Sequence, residues 1–102
     1  MAYDAIMNAR MLFYYKQTRG ALIVEMVIWQ LPQRCAERPH GLKYRLFCGT
    51  AQRSIVRYDN ETGKGDHRHI GDPEESHTFV PVDRLIEDFR NDCSRLAGWE
   101  WE

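Results

Sequence analysis

The alternation of apolar and polar positions divides the chain into short extended segments followed by one helical segment. Arg10 to Lys16 is rich in aromatic residues and predicts a first strand. Ala21 to Leu31 is apolar at nearly every position, which predicts a central strand covered on both faces. Only a short turn at Gly20 separates the two segments, so an antiparallel hairpin is the expected connection.

Three further segments with the periodicity of strands follow a polar loop. Leu42 to Cys48 alternates cleanly, with Lys43 and Arg45 on the face opposite its apolar residues. Ser54 to Asp59 predicts a fourth strand, and His67 to Ile70, which glycines bound on both sides, predicts a short fifth. Short connections between successive strands favour a meander.

One segment near the end of the chain has the period of a helix. Pro81 suits the start of a helix and Gly98 suits its end, so the helix is expected over Pro81 to Ala97. We therefore predict an α+β fold, in which an antiparallel β-meander of four to five strands carries one C-terminal amphipathic helix packed on a sheet face. The apolar stripe of that helix consists of Val82, Leu85, Ile86, Phe89, Cys93 and Leu96.

Length and charge narrow the possible classes of protein. The 102 residues suffice for a single core, and residues 1–102 are interpreted as one domain. The formal net charge of -1 conceals an asymmetry, because residues 1–58 carry nine Lys/Arg against three Asp/Glu, and residues 59–102 carry five against twelve. The balance excludes a uniformly basic nucleic-acid binder but permits a basic face on the predicted sheet.

The ends and the cysteines bear on the expected location. The N-terminal residues lack the pattern of a signal peptide, and no apolar stretch approaches the roughly 20 residues that a membrane-spanning helix needs. Cys35, Cys48 and Cys93 are an odd number at wide spacing, which argues against a disulfide framework. A cytoplasmic protein with no membrane association is therefore expected.

The candidate chemistry is concentrated between Tyr58 and His69, where nearly every side chain is polar or ionisable. In an extended segment His67 and His69 project from the same face, about 6.6 Å apart at roughly 3.3 Å per residue. Two imidazoles at that separation can flank one phosphodiester, one taking a proton from an attacking hydroxyl and the other protonating the leaving oxygen. This interpretation makes the two histidines a general acid and a general base.

Neighbouring residues fit supporting roles in such a reaction. Lys64 or Arg68 can stabilise the charge that develops on phosphorus, and Asp59 or Asp66 can orient an imidazole. Outside this segment, His40 is interpreted as a surface residue and His77 as lying away from the site. The residues assigned to substrate binding are Arg68, Lys64, Asn60, Arg45 and Lys43.

Two other interpretations of the same segment stay open. His67 and His69 with a nearby carboxylate would also make a three-ligand site for a divalent metal ion, with an open position for water. Alternatively, the segment is a hydrogen-bonded surface turn, because polar glycine-rich turns between strands are common. Residue chemistry alone does not choose among the three.

The string D-N-E-x-G-K-G-D-H-R-H over residues 59–69 resembles the signature of the TumE family of small toxin–antitoxin proteins. The resemblance extends to Val27 to Pro32, Gly41 to Leu46 and the predicted helix. It implies a toxin encoded beside a helix-turn-helix antitoxin and directed at RNA. It implies no mechanism, so the catalytic roles rest on the residue chemistry.

The leading hypothesis is therefore a toxin that cleaves RNA with paired histidines and needs no cofactor. A helix-turn-helix antitoxin is the expected partner, RNA is the expected substrate, and the pattern is compatible with a homo-oligomer. The principal alternative is a non-enzymatic binding protein that docks nucleic acid or a protein partner through the same polar residues. A metal-dependent nuclease with a divalent cation at His67 and His69 is the other.

Overall fold

The computed structural model describes residues 8–36, 38–60, 65–77 and 80–101. Six strands lie in one antiparallel sheet in chain order, and one helix follows them. This arrangement confirms the predicted α+β fold with a meander and a C-terminal helix. The elements are β1 (Arg10–Arg19), β2 (Leu22–Gln30), β3 (Leu42–Gly49), β4 (Ser54–Asp59), β5 (His67–Ile70), β6 (Glu74–Ser76) and α1 (Val82–Ala97).

The strand boundaries match the predicted segments closely, with two differences. β1 continues to Arg19, because the β1–β2 hairpin pairs all the way to its turn. β6 adds a strand beyond the predicted four to five, since its three residues are polar and exposed and have no apolar periodicity. β6 pairs with β5, so β5 has a neighbour on each side.

Alternation along β3 and β4 determines which side chains enter the core. The apolar face of β3 is buried against α1 together with Val56 and Tyr58 of β4. On α1 the predicted stripe is the buried one, centred on Leu85, Phe89 and Cys93. Lys43 and Arg45 lie on the opposite side of the sheet, as predicted; we call this side the open face.

The prediction that β2 is covered on both faces is wrong for the described residues. Val24, Met26 and Ile28 are buried on the side of α1, whereas Ile23 and Val27 on the open face are only half-buried. The described part of the chain places no helix over the open face, where side chains of neighbouring strands such as Arg45 and Phe47 give partial cover.

The end of α1 turns the chain back onto the sheet. Gly98 adopts a left-handed conformation (φ 69°), and the amides of Gly98 and Trp99 bond to the last turn of the helix. Trp99 is 2% exposed, and the ring of Trp101 lies 5.6 Å from that of Tyr15 in β1. The tail is therefore packed against its own chain.

Two remaining expectations concern cysteines and membranes. All three cysteines are free, with Cys48 and Cys93 buried in the core and Cys35 exposed, as the sequence indicated. Within the described ranges, α1 is too short and too polar to cross a bilayer.

Candidate functional site

The register between β4 and β5 brings four polar side chains together on the open face. Asp59 lies opposite His67, and Arg57 lies opposite His69. Since side chains two residues apart share a face, all four project from the same side of the sheet. We call Arg57, Asp59, His67 and His69 the open-face cluster.

His67 and Asp59 form the buried centre of this cluster. Nε2 of His67 contacts Oδ1 of Asp59, with 3% and 2% of the two side chains exposed. Nδ1 of His67 lies 2.9 Å from the carbonyl oxygen of Gly65. Because a carbonyl oxygen only accepts, Nδ1 carries a proton and donates it there. In a neutral ring, Nε2 then carries a lone pair, and this nitrogen is the one in contact with the carboxylate.

Arg57 and His69 form the more accessible side of the cluster. Arg57 places Nε 2.9 Å from Oδ2 of Asp59 and a terminal nitrogen 2.9 Å from Nε2 of His69. Glu74 of β6 lies 3.1 Å from the same imidazole nitrogen. Burial, followed by the charge of Arg57, lowers the pKa of His69. His69 is therefore a neutral imidazole at neutral pH, which suits a base or a metal ligand.

The polar atoms at the centre of the cluster are poorly satisfied. Among the described residues, neither carboxylate oxygen of Asp59 nor Nε2 of His67 has a hydrogen bond of acceptable geometry. One potential metal-ligand atom from each of Asp59, His67 and His69 lies within 4.8 Å of the other two. These three side chains could therefore hold a divalent cation, the alternative that the sequence left open.

Asp66 lies apart from the open-face cluster and has other partners. Its carboxylate accepts hydrogen bonds from the hydroxyl of Tyr44 at 2.7 Å and from Nε2 of His40 at 3.1 Å. Nδ1 of His40 accepts from the amide of Leu42 at 3.1 Å, so Nε2 carries the proton. We call His40, Tyr44 and Asp66 the inner network. Each residue of this network lies within hydrogen-bonding distance of a compatible donor or acceptor, which indicates a structural role.

His40 is not the surface residue that the sequence indicated. Its side chain is 10% exposed, because its loop folds back over the start of β5. Tyr44 is buried on the side of α1, and burial, followed by its hydrogen bond to Asp66, raises its pKa. Tyr44 therefore cannot stack on a base at the open face.

Asn60 holds β4 against β3 and does not reach the open-face cluster. Its side-chain oxygen accepts from the amide of Tyr44 at 3.0 Å, and its side-chain nitrogen donates to the carbonyl of Leu42 at 2.8 Å. Arg38 donates to the backbone carbonyl of Asn60 at 2.9 Å. These contacts assign Asn60 to positioning the end of β4, directly after Asp59.

Arg68 projects from the opposite side of β5 from the histidines, as strand alternation predicts. It pairs with Glu75 of β6 and lies 3.5 Å from Asp92 of α1. Its guanidinium also lies 5.9 Å from the ring centre of Tyr58. The structure thus gives Arg68 partners on the α1 side and keeps it away from the open-face cluster. His77 is on that side too, with its ring 5.2 Å from that of Tyr58.

Three other cationic residues were assigned to substrate binding: two of them lie on the open face, and the third falls outside the described residues. Arg45 lies directly opposite Asp59 in the β3–β4 register, and Lys43 lies two residues along the same face. Arg45 also lies 3.6 Å from Glu25 and covers the ring of Phe47. Lys64 falls outside the described residues.

With the geometry established, comparison with known proteins identifies the family. The model of a family described as Toxin TumE matches residues 5–97. The chain belongs to the TumE toxin family. No curated protein and no solved structure matches it. Membership in the TumE family confirms the resemblance seen in the sequence and supports the role of a toxin in a toxin–antitoxin system, which implies an antitoxin partner.

Sequence reasoning missed two contributors to the site of this TumE protein. Arg57 is not among the residues that the sequence assigned to the site, although its position two residues before Asp59 places it on the same face as that carboxylate. Glu74 belongs to β6, which the sequence did not predict. The strand alternation of Arg57 with Asp59 could have identified the first; no apolar pattern marks the second.

Proposed function

We propose that this TumE protein is a toxin that cleaves RNA at the open-face cluster. The observation that carries the proposal is the convergence of Asp59, His67 and His69 on one sheet face, with Arg57 bridging Asp59 and His69. A buried carboxylate, two imidazoles and a guanidinium within contact distance are the groups that phosphodiester chemistry needs.

The proposed reaction is transfer of the phosphoryl group to the adjacent 2′-oxygen. The 2′-hydroxyl loses its proton to a base, a bond forms from the 2′-oxygen to phosphorus, and the bond from phosphorus to the 5′-oxygen breaks. The leaving 5′-oxygen takes up a proton. RNA is favoured over DNA as substrate because only RNA carries this neighbouring nucleophile.

The charge of the open face supports an RNA backbone as ligand. Arg45, whose side chain is 46% exposed, lies next to Asp59 across the β3–β4 pair. Lys43 continues the cationic row, and Arg57 provides a guanidinium inside the cluster itself. Together they can contact successive phosphates that flank the scissile bond.

The two histidines can serve cleavage in two ways. As free imidazoles they would act as general acid and base, which requires both rings to meet the substrate. As ligands they would instead hold a cation that activates water or the 2′-hydroxyl and stabilises the charge on phosphorus. With 3% of its side chain exposed, His67 is better placed for the second use.

The test is cleavage of a generic single-stranded RNA by the full chain, compared with Asp59→Asn, His67→Gln and His69→Gln. We expect all three substitutions to abolish most of the activity, and His40→Gln in the inner network to retain it. Binding of RNA without cleavage, or cleavage that survives all three substitutions, would refute the proposal. Loss of cleavage in EDTA and recovery with a divalent ion would select the metal form.

A further inference from the structure

We propose that Asp59, His67 and His69 form a binding site for one divalent transition-metal ion. The inference deepens the proposed function, on which its catalytic role rests, whereas the binding itself does not depend on RNA being the substrate. The argument starts from the roles of the ring nitrogens of His67.

The proton of His67 is assigned by its neighbour. Nδ1 lies 2.9 Å from the carbonyl of Gly65 and has to donate to it. A neutral ring therefore carries a lone pair at Nε2, and the atom in contact with this nitrogen is a carboxylate oxygen of Asp59. Two acceptors in contact repel each other unless a positive charge lies between them or the ring gains a second proton.

The close contact between Nε2 of His67 and the carboxylate of Asp59 is not a hydrogen bond. Among the described residues, Nε2 of His67 and both oxygens of Asp59 lack a hydrogen bond of acceptable angle. The two groups therefore meet at one point without a hydrogen bond between them, and a cation bound there would accept their lone pairs.

A third ligand lies within reach of that point. One ring nitrogen of His69 lies within 4.8 Å of the donor atoms of Asp59 and His67. Two ligands at about 2.0–2.2 Å from one metal ion lie roughly 3.4 Å apart in a tetrahedral site, so the three side chains would close around the ion by shifts of about 1 Å. Two imidazoles and one carboxylate suit Zn²⁺ and similar transition metals, whereas Mg²⁺ prefers oxygen ligands.

Surrounding residues meet the further requirements of such a site. Arg57 contacts the other oxygen of Asp59, Oδ2, and thereby holds the carboxylate with Oδ1 towards His67. The carbonyl of Gly65 fixes the His67 tautomer, as the partners of metal-bound histidines commonly do. Three protein ligands leave a coordination position for water or a phosphate oxygen.

The chain provides an internal control in the inner network. His40 and Asp66 are also a histidine–aspartate pair, but Nδ1 of His40 accepts from an amide and Nε2 therefore donates to Asp66. No lone pair of His40 faces its carboxylate. A cation should bind at the pair of His67 and leave the pair of His40 unaffected.

The experiment uses untagged, chelator-treated full-length protein carrying Cys35→Ser, which removes the exposed thiol as a competing ligand. Calorimetric titration with Zn²⁺, and with Co²⁺ as a visible probe, should show one site per chain and a rise in melting temperature. Asp59→Asn, His67→Gln and His69→Gln should each weaken the affinity at least tenfold, and His40→Gln should change it less than twofold. Circular dichroism identifies any variant that fails to fold, and the other two then decide.

Three results would overturn the site: no saturable binding, binding unchanged in Asp59→Asn and His69→Gln, or binding lost in His40→Gln alone. The outcome is separable from that of the proposed function. A chain that binds the metal but leaves RNA intact keeps the site and refutes RNA cleavage. A chain that cleaves RNA in EDTA and binds no metal refutes the site and keeps the cleavage.

Discussion

Two histidine–aspartate pairs lie at neighbouring positions in this fold and differ in how their atoms are used. In the pair of His40 and Asp66, an amide fixes the tautomer so that the imidazole donates to the carboxylate, and Tyr44 adds a second donor. In the pair of His67 and Asp59, a carbonyl accepts from Nδ1, so in the neutral ring Nε2 and the carboxylate meet as two acceptors. The same two residue types thus make a satisfied structural link in one place and a chemically unsatisfied site in the other.

The comparison shows why residue identity alone is a weak guide to function. What distinguishes the pairs is the backbone group next to Nδ1, an amide for His40 and a carbonyl for His67. Buried polar groups are normally satisfied, and exceptions concentrate where a ligand or a reaction requires them. Substitutions in the two pairs should therefore affect different properties.

The largest expected effect is on the proposed cleavage of RNA. His67→Gln and Asp59→Asn should reduce the rate of RNA cleavage by about 10²–10⁴, the range for loss of an acid–base or electrostatic group. His40→Gln should keep the rate within about threefold, since its pair lies outside the site. Single-turnover cleavage of a labelled RNA measures all three, and an equal loss in His40→Gln would remove the distinction between the pairs.

The next effect is on stability, through the residue that joins β3 and β4. Asn60→Ala leaves the amide of Tyr44 and the carbonyl of Leu42 without their side-chain partners. At about 1–3 kcal/mol for each of the two unsatisfied buried groups, the free energy of unfolding should fall by about 2–6 kcal/mol. Urea denaturation followed by circular dichroism measures this change. A loss below about 1 kcal/mol would show that water replaces the amide.

A smaller stability effect tests the inner network itself. Tyr44→Phe removes the donor to Asp66 and should lower the free energy of unfolding by about 1–2 kcal/mol, because His40 still supports the carboxylate. Tyr14→Phe is the matched control, since Tyr14 is 53% exposed and its hydroxyl bond to Glu25 is long at 3.3 Å. The control should stay within about 0.5 kcal/mol. Equal effects of the two substitutions would contradict a buried network.

The smallest effect concerns the proposed binding of RNA along the open face. Arg45→Gln should reduce the slope of log affinity against log salt by about 0.7, the value for one phosphate contact with a single strand. Arg84→Gln, an exposed position on α1 away from the open face, should leave the slope unchanged. Fluorescence anisotropy over a range of salt concentrations gives both slopes. An equal decrease of the slope for Arg84→Gln would show that RNA does not bind preferentially to the open face.

Much of the fold could be predicted because strands with one buried face have a strict period. The alternation in Leu42 to Cys48 assigned Lys43 and Arg45 to the open face, and the structure confirms it. The same period correctly placed His67 and His69 together, with ring centres 5.0 Å apart. β6 could not be predicted, because Glu74–Ser76 are exposed and are held by pairing with β5 rather than by apolar burial.

The candidate site was only partly predictable, because its contacts join residues that are distant in sequence. The sequence assigned both Asp59 and Asp66 to orienting an imidazole, although strand alternation places Asp66 on the face opposite the histidines. The β4–β5 register places Asp59 opposite His67, while Asp66 projects to the other side and meets Tyr44. His40 lies 26 positions from Asp66, and nothing local in its loop indicates that contact.

The sequence by itself determined the order of the strands and the helix, the faces of the strands, the apolar stripe of α1 and the family. These depend on side-chain periods and on a local motif, and both can be read from neighbouring residues. Only the tertiary structure decided which carboxylate meets which imidazole and which ring nitrogen holds the proton. Those facts depend on strand register and on the backbone group beside each ring, and folding alone brings such groups together.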